Sequence, residues 1–322
     1  MIRGPHDRSR RRALAIGVAV TVDGVLGDLP TVIHPVGLVG RAARFLESRA
    51  PDSAAARLRY GIVAPGLVLG ASAAAGFVAE RLARRTPWPV AAVLEGGALS
   101  TLIALRGLLA RAEEVRAALV ANDLDGARAI LGRHLVSRDT SPLEADEVAG
   151  AAIESVAENL SDGVIAPLLA YAVAGLPGAL VYRGANTFDS LWGYRTDRYR
   201  ELGRHAARLD DALNLVPSRA SAGALVAAAA LSGLDARRAL DVWLDEGDFT
   251  PSPNAGQTMG AMAGALGVAL EKDGAYHLGH DGRQPEPGDI ERAVDLARMA
   301  ALLAAGALAA GLVLLARLKE QG

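Results

Sequence analysis

The chain has 322 residues, and 51% of them are hydrophobic although aromatics supply only 4%, so the apolar mass is chiefly Ala, Leu and Val. A formal net charge of −2 excludes nucleic-acid binding by bulk electrostatics, and the absence of cysteine excludes disulfides, thiolate catalysis and zinc–thiolate sites. Strong helix formers and small residues, at a mean hydropathy of +0.22, predict an all-α polytopic membrane protein with polar segments between its spans.

In chain order, the basic stretch Arg8 to Arg12 precedes an apolar run over 13–27, which Asp23 interrupts. We read it as an uncleaved first membrane helix. Tyr60 to Ala79 carries no charge and is a full-length span; 88–105 is a weaker one, interrupted by Glu95. Residues 107–135 read as amphipathic helices around a turn at Asn122 to Asp125. Gly163 to Tyr182 is the next span, with Pro167 and Pro177 expected to bend it. Ala220 to Leu234 and Ala255 to Leu270 are short enough to be buried core helices. Residues 271–290 read as a Gly/Pro-punctuated loop that ends in an Asp289 cap, and Met299 to Ala316 is the last span. The expectation is roughly four to six membrane helices in a single membrane-embedded domain over 1–322. Its parts are N-terminal helices (13–110), a polar motif-rich region with one span (111–222) and C-terminal helices (223–322). The basic residues at both termini argue for cytoplasmic ends, but Arg41, Arg44, Arg49, Arg57 and Arg59 after the first helix leave the positive-inside rule undecided.

Chemistry concentrates in two stretches. Glu154, Glu158 and Asp162 recur every fourth residue, which places them on one helix face at the doorstep of a span. Like charges at that spacing repel, and no basic residue lies between 139 and 182 to relieve them. A divalent cation or a basic substrate would; a solvated helix face is the plain alternative. The second stretch, 182–222, holds Asn186, Asp189, Tyr194, Asp210 and Asp211 interleaved with Arg183, Arg195, Arg198, Arg208 and Arg219. Oxygen ligands without His or Cys suit Mg²⁺, and guanidinium forks suit phosphate; a salt-bridged polar helix pair is the alternative. His34, held extended by Pro35, is either a ligand or acid–base group or an ordinary loop histidine. Asn254 to Gly256 reads as a turn opening a small-residue helix, whose N–H groups could receive a phosphate. No Walker or dinucleotide fingerprint is present.

Taken in order, "GDLPTVIHPVG", "RDT", "IESVAENLSDGVIAPL", "NTFDSLWGY", "ARLDDALNLVPSR" and "SPNAGQTMGAMAGALGV" resemble the CbiB (CobD) family over roughly residues 13 to 316. The resemblance implies an adenosylcobinamide-phosphate synthase of the cytoplasmic membrane. Such an enzyme joins adenosylcobyric acid to aminopropanol phosphate (or aminopropanol) at the expense of ATP with Mg²⁺, with other cobalamin-pathway proteins as candidate partners and no nucleic acid. It points to these blocks as the site, within which we assign Glu154, Glu158, Asp162 and Asp189 to metal and phosphate; Arg138, Asn186, Tyr194, Arg208, Arg219 and Asn254 to substrate; and Asp28, His34, Asp210 and Asp211 to catalysis. Two departures stand out. Leu29 intrudes into a Gly-Asp-Pro block, and "ALEKDGAYHLG" keeps Tyr276 and Gly279 but lacks a glycine pair. A non-enzymatic membrane sensor or assembly protein on the same scaffold is the rival reading.

Overall fold

The computed structural model describes residues 5–27, 34–194, 196–272 and 274–321; Asp28, with the rest of 28–33, and Arg195 lie outside the described residues. The helices are α1 (Pro5–Leu26), α2 (Pro35–Glu47), α3 (Ala54–Ala83), α4 (Trp88–Ser100), α5 (Leu105–Val120), α6 (Leu124–His134) and α7 (Ala145–Leu160). After a π-helical turn at Ser161–Ile165 come α8 (Ala166–Trp192), α9 (Arg204–Leu231), α10 (Ala236–Glu246), α11 (Ala255–Leu266) and α12 (Pro287–Gln321). A small antiparallel hairpin, β1 (Leu270–Lys272) and β2 (Tyr276–Leu278), precedes α12. Four runs are long and apolar enough to cross a membrane: Ala54–Ala83, Trp88–Val120, Ala145–Trp192 and Pro287–Leu318. The protein is therefore an all-α polytopic membrane protein. The run 13–27 lies inside α1, which is not one of the four.

The chain divides into two compact units, each gathered from separate segments: Met1–Ala104, Ala166–Leu213 and Ala305–Gly322 in the first, Leu105–Ile165 and Asn214–Ala304 in the second.

In the first unit α3 and α8 run antiparallel. Gly76 faces the backbone of Leu176 and Pro177, and a Cβ there would sit 2.6 Å from the Pro177 nitrogen, so only glycine permits this approach. The charge that interrupts the 88–105 run is buried with a partner. Glu95 is fully buried, with Arg11 Nε 2.9 Å from one oxygen and the Tyr171 hydroxyl donating to the other at 2.7 Å.

The expected bending near Pro177 takes a specific form. Gly175 leaves helical geometry at φ 72°, ψ −160°. Pro177 has no N–H, so the Val173 carbonyl loses its helical donor, and the break likewise parts the Leu176 N–H from the Ala172 carbonyl. Side chains from other helices replace both bonds. Arg12 Nη1 donates to the Ala172 and Val173 carbonyls at 3.0 Å each, and Leu176 N–H donates to Glu80 Oε1 at 3.0 Å. Glu80 is held in turn by Arg84 at 2.5 Å and Arg12 at 3.9 Å. The π-helical turn just ahead of Pro167 is the second break in this long run, and such turns are frequent at functional sites.

The same contacts order the ends of the first unit. Arg12 ties the start of α1 to the end of α3, and Arg10 pairs with Glu320 near the end of α12 at 2.6 Å. Because the chain is free of cysteine, single cysteines can report the arrangement. Cysteines replacing Ser9, Thr86 and Arg317 are expected to react with an impermeant maleimide from one side of the membrane, and one replacing Asp52, at the far end of α3, from the other. Labelling of Ser9→Cys and Thr86→Cys from opposite sides would refute this.

In the second unit, α5 and α6 turn where expected: Asn122 takes φ 58° and Asp123 caps α6 by accepting from Gly126 N–H at 2.9 Å. Helix α7 opens with a capping box formed by Glu144 and Glu147 and is buried along Val148–Ala157. Helix α11 is buried along its length, as its short apolar run predicts. The 271–290 loop differs from expectation, because it contains the hairpin. Asp289 is not the cap of α12. It sits inside the first turn and accepts from Glu286 N–H at 2.8 Å, while Arg283 grips it with two bonds of 2.6 and 2.7 Å.

Candidate active site

The candidate residues gather in one cluster in the first unit and two groups in the second. In the first unit, Phe188 and Trp192, packed edge to face at 4.9 Å, anchor the last turns of α8 in the core with Val39, Leu202 and Ala206. At helical spacing this turns Arg183 and Asn186 to the opposite face and leaves Asp189 on the flank. Asn186 accepts from Arg183 at 3.1 Å and donates to Asp210 of α9 at 3.3 Å. Asp210 is buried, while Asp189 and Asp211 are half-buried. The polar residues 186 and 210, read only as neighbours in composition, are thus bonded partners. His34 is half-buried, has extended backbone before α2, and accepts from Leu38 N–H through its carbonyl. Tyr194 and Arg208 are exposed, and Tyr194 stands against Tyr199 with ring centroids 5.9 Å apart.

In the second unit Glu154 sits mid-way along the buried face of α7, only 6% exposed. Arg138 Nη2 lies 3.7 Å from its Oε2, and Oε1 is buried without a hydrogen bond among the described residues. The hairpin supplies the rest: Lys272 and Tyr276 are cross-strand partners, so they share a face, and both act on Glu154. The Tyr276 phenol is held well above its ordinary pKa, first by burial and then by Glu154 beside it, so it stays protonated and able to donate. Glu158 is exposed one turn along α7, and Asp162 is half-buried in the π-helical turn. The three acids therefore occupy three different environments.

Asn254 and Arg219 meet through Ser218, whose hydroxyl donates to Asn254 Oδ1 at 3.2 Å and accepts from Arg219 Nη1 at 3.3 Å. The Gly256 N–H at the start of α11, a candidate phosphate donor, is taken by Thr250 Oγ1 at 3.0 Å. The sequence reading passed over Lys272 and Tyr276 as site residues. The Asp-Gly dipeptide at 273–274 is a hairpin signal that could have raised them.

The donors suit a hard cation in kind. Among the described residues no three His, Asp or Glu side chains converge on one point, so those residues make no metal cage from protein alone. Mg²⁺ commonly takes only one or two carboxylates, with substrate phosphate and water completing its shell. The uncommitted Glu154 oxygen fits that kind of site.

Comparison with known proteins places the whole arrangement. The family model described as CobD/Cbib protein matches residues 16–303. The chain is 41% identical over 299 residues to the cobalamin biosynthesis protein CobD of Mycobacterium tuberculosis strain H37Rv, covering 89% of this chain and 92% of that protein. It is 35% identical over 266 residues to a probable cobalamin biosynthesis protein CobD of Methanocaldococcus jannaschii, covering 81% and 86%. For the Leptospira interrogans protein named cobalamin biosynthesis protein CobD, the figures are 35% over 278 residues, covering 86% and 87%. No solved structure matches. With the motif blocks and the acids at 154, 158 and 162 inside the matched region, the chain belongs to the CobD/CbiB family.

Proposed function

We propose that the protein is an ATP- and Mg²⁺-dependent acid–amine ligase of the cytoplasmic membrane that joins adenosylcobyric acid to (R)-1-aminopropan-2-ol phosphate, giving adenosylcobinamide phosphate. The observation that carries this reading is the family match over 16–303, which contains every described candidate residue. The relatives' names place them in cobalamin biosynthesis. The chemistry of both clusters suits the reaction. An amine cannot displace hydroxide from a carboxylate at neutral pH. Transfer of the ATP γ-phosphoryl group to the propionate oxygen gives an acyl phosphate and ADP. The neutral amine then attacks the acyl carbon and phosphate leaves, while the ammonium proton passes to a base.

Each step has candidates. Mg²⁺, when bound, would spread charge on the transferring phosphoryl group. Glu154, Glu158 and Asp162 of the second unit and, separately, Asp189 of the first are the carboxylate candidates to meet a cation with substrate phosphate. Arg138, Arg208 and Arg219 are the cations for ATP or aminopropanol phosphate, with Asn186, Tyr194 and Asn254 as hydrogen-bonding groups. Asp210, already bonded to Asn186, or His34 is the proton acceptor; Asp211 and Asp28 are further candidates, Asp28 outside the described residues. To these we add Tyr276 and Lys272, which act electrostatically on Glu154. Placement beside lipid suits a large, partly apolar corrinoid ring and leaves room for other pathway proteins.

The test incubates detergent-purified protein with adenosylcobyric acid, aminopropanol phosphate, ATP and Mg²⁺ and follows products by mass spectrometry. Amidated corrinoid that requires all four components, with ADP formed alongside, is the expected result; AMP would replace the acyl phosphate by an acyl adenylate. Neither product nor corrinoid binding would refute the ligase and leave the sensor or assembly reading in its place. Coupling unchanged in Glu158→Gln would remove Glu158 from the metal set.

A further inference from the structure

The C-terminal end of α3 carries Arg81, Arg84 and Arg85 within five residues, and together with Phe77 and Glu80 they line a cavity of about 290 Å³ in the first unit. The single acid there is already committed. Glu80 is buried, accepts from the Leu176 N–H, and is paired with Arg84 and Arg12. Arg81 and Arg85 are exposed, and neither has a carboxylate within ion-pair distance among the described residues. The cavity is thus lined by three guanidinium groups against one satisfied carboxylate, a surplus of positive charge suited to phosphate oxygens.

Its position selects the source of that phosphate. The cluster closes a 30-residue apolar helix that is long enough to cross a membrane. Phe77 and Val78, just before it, are 57% and 53% exposed, and the partly exposed Trp88 follows at the start of α4. Arginines and a tryptophan next to exposed apolar side chains are the arrangement found at the level of lipid headgroups. The site is also separate from the Asn186–Asp210 cluster. Glu80 meets α8 at Leu176, whereas Asn186 lies ten residues further along that helix, roughly 15 Å at 1.5 Å per residue.

We propose that this cavity binds the headgroup of an anionic phospholipid, its phosphate between Arg81 and Arg85 and its acyl chains along the exposed face of α3 beside Phe77. Occupancy would brace the Arg12–Glu80–Arg84 network that holds the break in α8.

Native mass spectrometry of the full chain in detergent, offered phosphatidylglycerol and phosphatidylcholine with identical acyl chains in equal amounts, tests this. The wild type is expected to retain phosphatidylglycerol over phosphatidylcholine by roughly tenfold or more, at about fivefold per juxtamembrane arginine. The double variant Arg81→Gln/Arg85→Gln should bring the ratio close to one, and Arg81→Lys/Arg85→Lys, which keeps both charges and controls for folding, should retain most of it. Equal retention of the two lipids by the wild type, or an undiminished preference in the Gln variant, overturns the proposal. A preference erased by millimolar inorganic phosphate, with phosphate itself bound, also overturns it and makes the occupant a soluble phosphate compound.

Discussion

Alanine at position 175 is expected to destabilise the detergent-solubilised protein by ~3 kcal/mol or more. Two costs combine. At φ 72°, ψ −160° a residue with a Cβ is in a region that essentially only glycine occupies. The added methyl would also collide with the Glu80 carboxylate and the Arg12 guanidinium. These two groups replace the bonds that the break removes, so displacing them leaves the Leu176 N–H buried without an acceptor and strips the Ala172 and Val173 carbonyls of their donors. Disturbing one member of a buried charged network costs several kcal/mol, because the remaining charges lose their partners. The thermal midpoint should fall by well over 5 °C, since about 1 kcal/mol moves a protein of this size by a few degrees. The comparison variant is Gly97→Ala, in α4, where a Cβ meets open space; it should melt at or above the wild-type temperature, because alanine is the better helix former. A Gly175→Ala protein that melts within a degree of wild type would show that the break tolerates a side chain and that the network is not what holds it.

The second large effect is expected at Glu154. Glu154→Gln keeps the shape and removes the charge, and the coupling rate should fall on the order of 10²–10³-fold, the range seen when one preorganised charged or hydrogen-bonding group is lost. The fold should survive. Arg138 is 27% exposed, so it can turn to water. Circular dichroism and the melting temperature are therefore expected to match the wild type closely while activity collapses. Tyr276→Phe, which removes only the hydroxyl beside Glu154, should reduce coupling by about tenfold, the size of one lost polar interaction with a charged group. If Glu154→Gln couples at the wild-type rate, the buried acid is a structural partner of Arg138 and the reaction centre lies with Asn186, Asp189 and Asp210 in the other unit. A loss of both activity and fold would instead class Glu154 as structural.

Local features of this protein are legible along the chain. Ala-, Leu- and Val-rich runs at 60–79, 163–182 and 299–316 lie inside helices that can cross a membrane, because length and apolarity are properties of one segment. The turn at Asn122 to Asp125 follows from residues that tolerate positive φ and cap helices. The acids at 154, 158 and 162 stand out by spacing alone, and the ordered motif blocks identify the family.

Pairings across long separations depended on packing. Glu95 reads as a flaw in a span until Arg11 and Tyr171, 84 and 76 residues away, are brought against it. The prolines at 167 and 177 announce that a helix must bend, but not that a π-helical turn and a left-handed glycine precede them. Nor do they reveal that Arg12 and Glu80 take over the lost backbone bonds. The even spacing of Glu154, Glu158 and Asp162 hides their difference in burial, which is set by α7's neighbours. Tyr276 reaches Glu154 only because β1 and β2 pair.

The sequence by itself determined the helices, the membrane character, the family and the positions where charge gathers, since each rests on composition or on contacts within a few residues. Tertiary structure decided which charges are paired, which carboxylate oxygen remains open and which helix ends meet. Those depend on desolvation and on geometry between segments that no local pattern encodes.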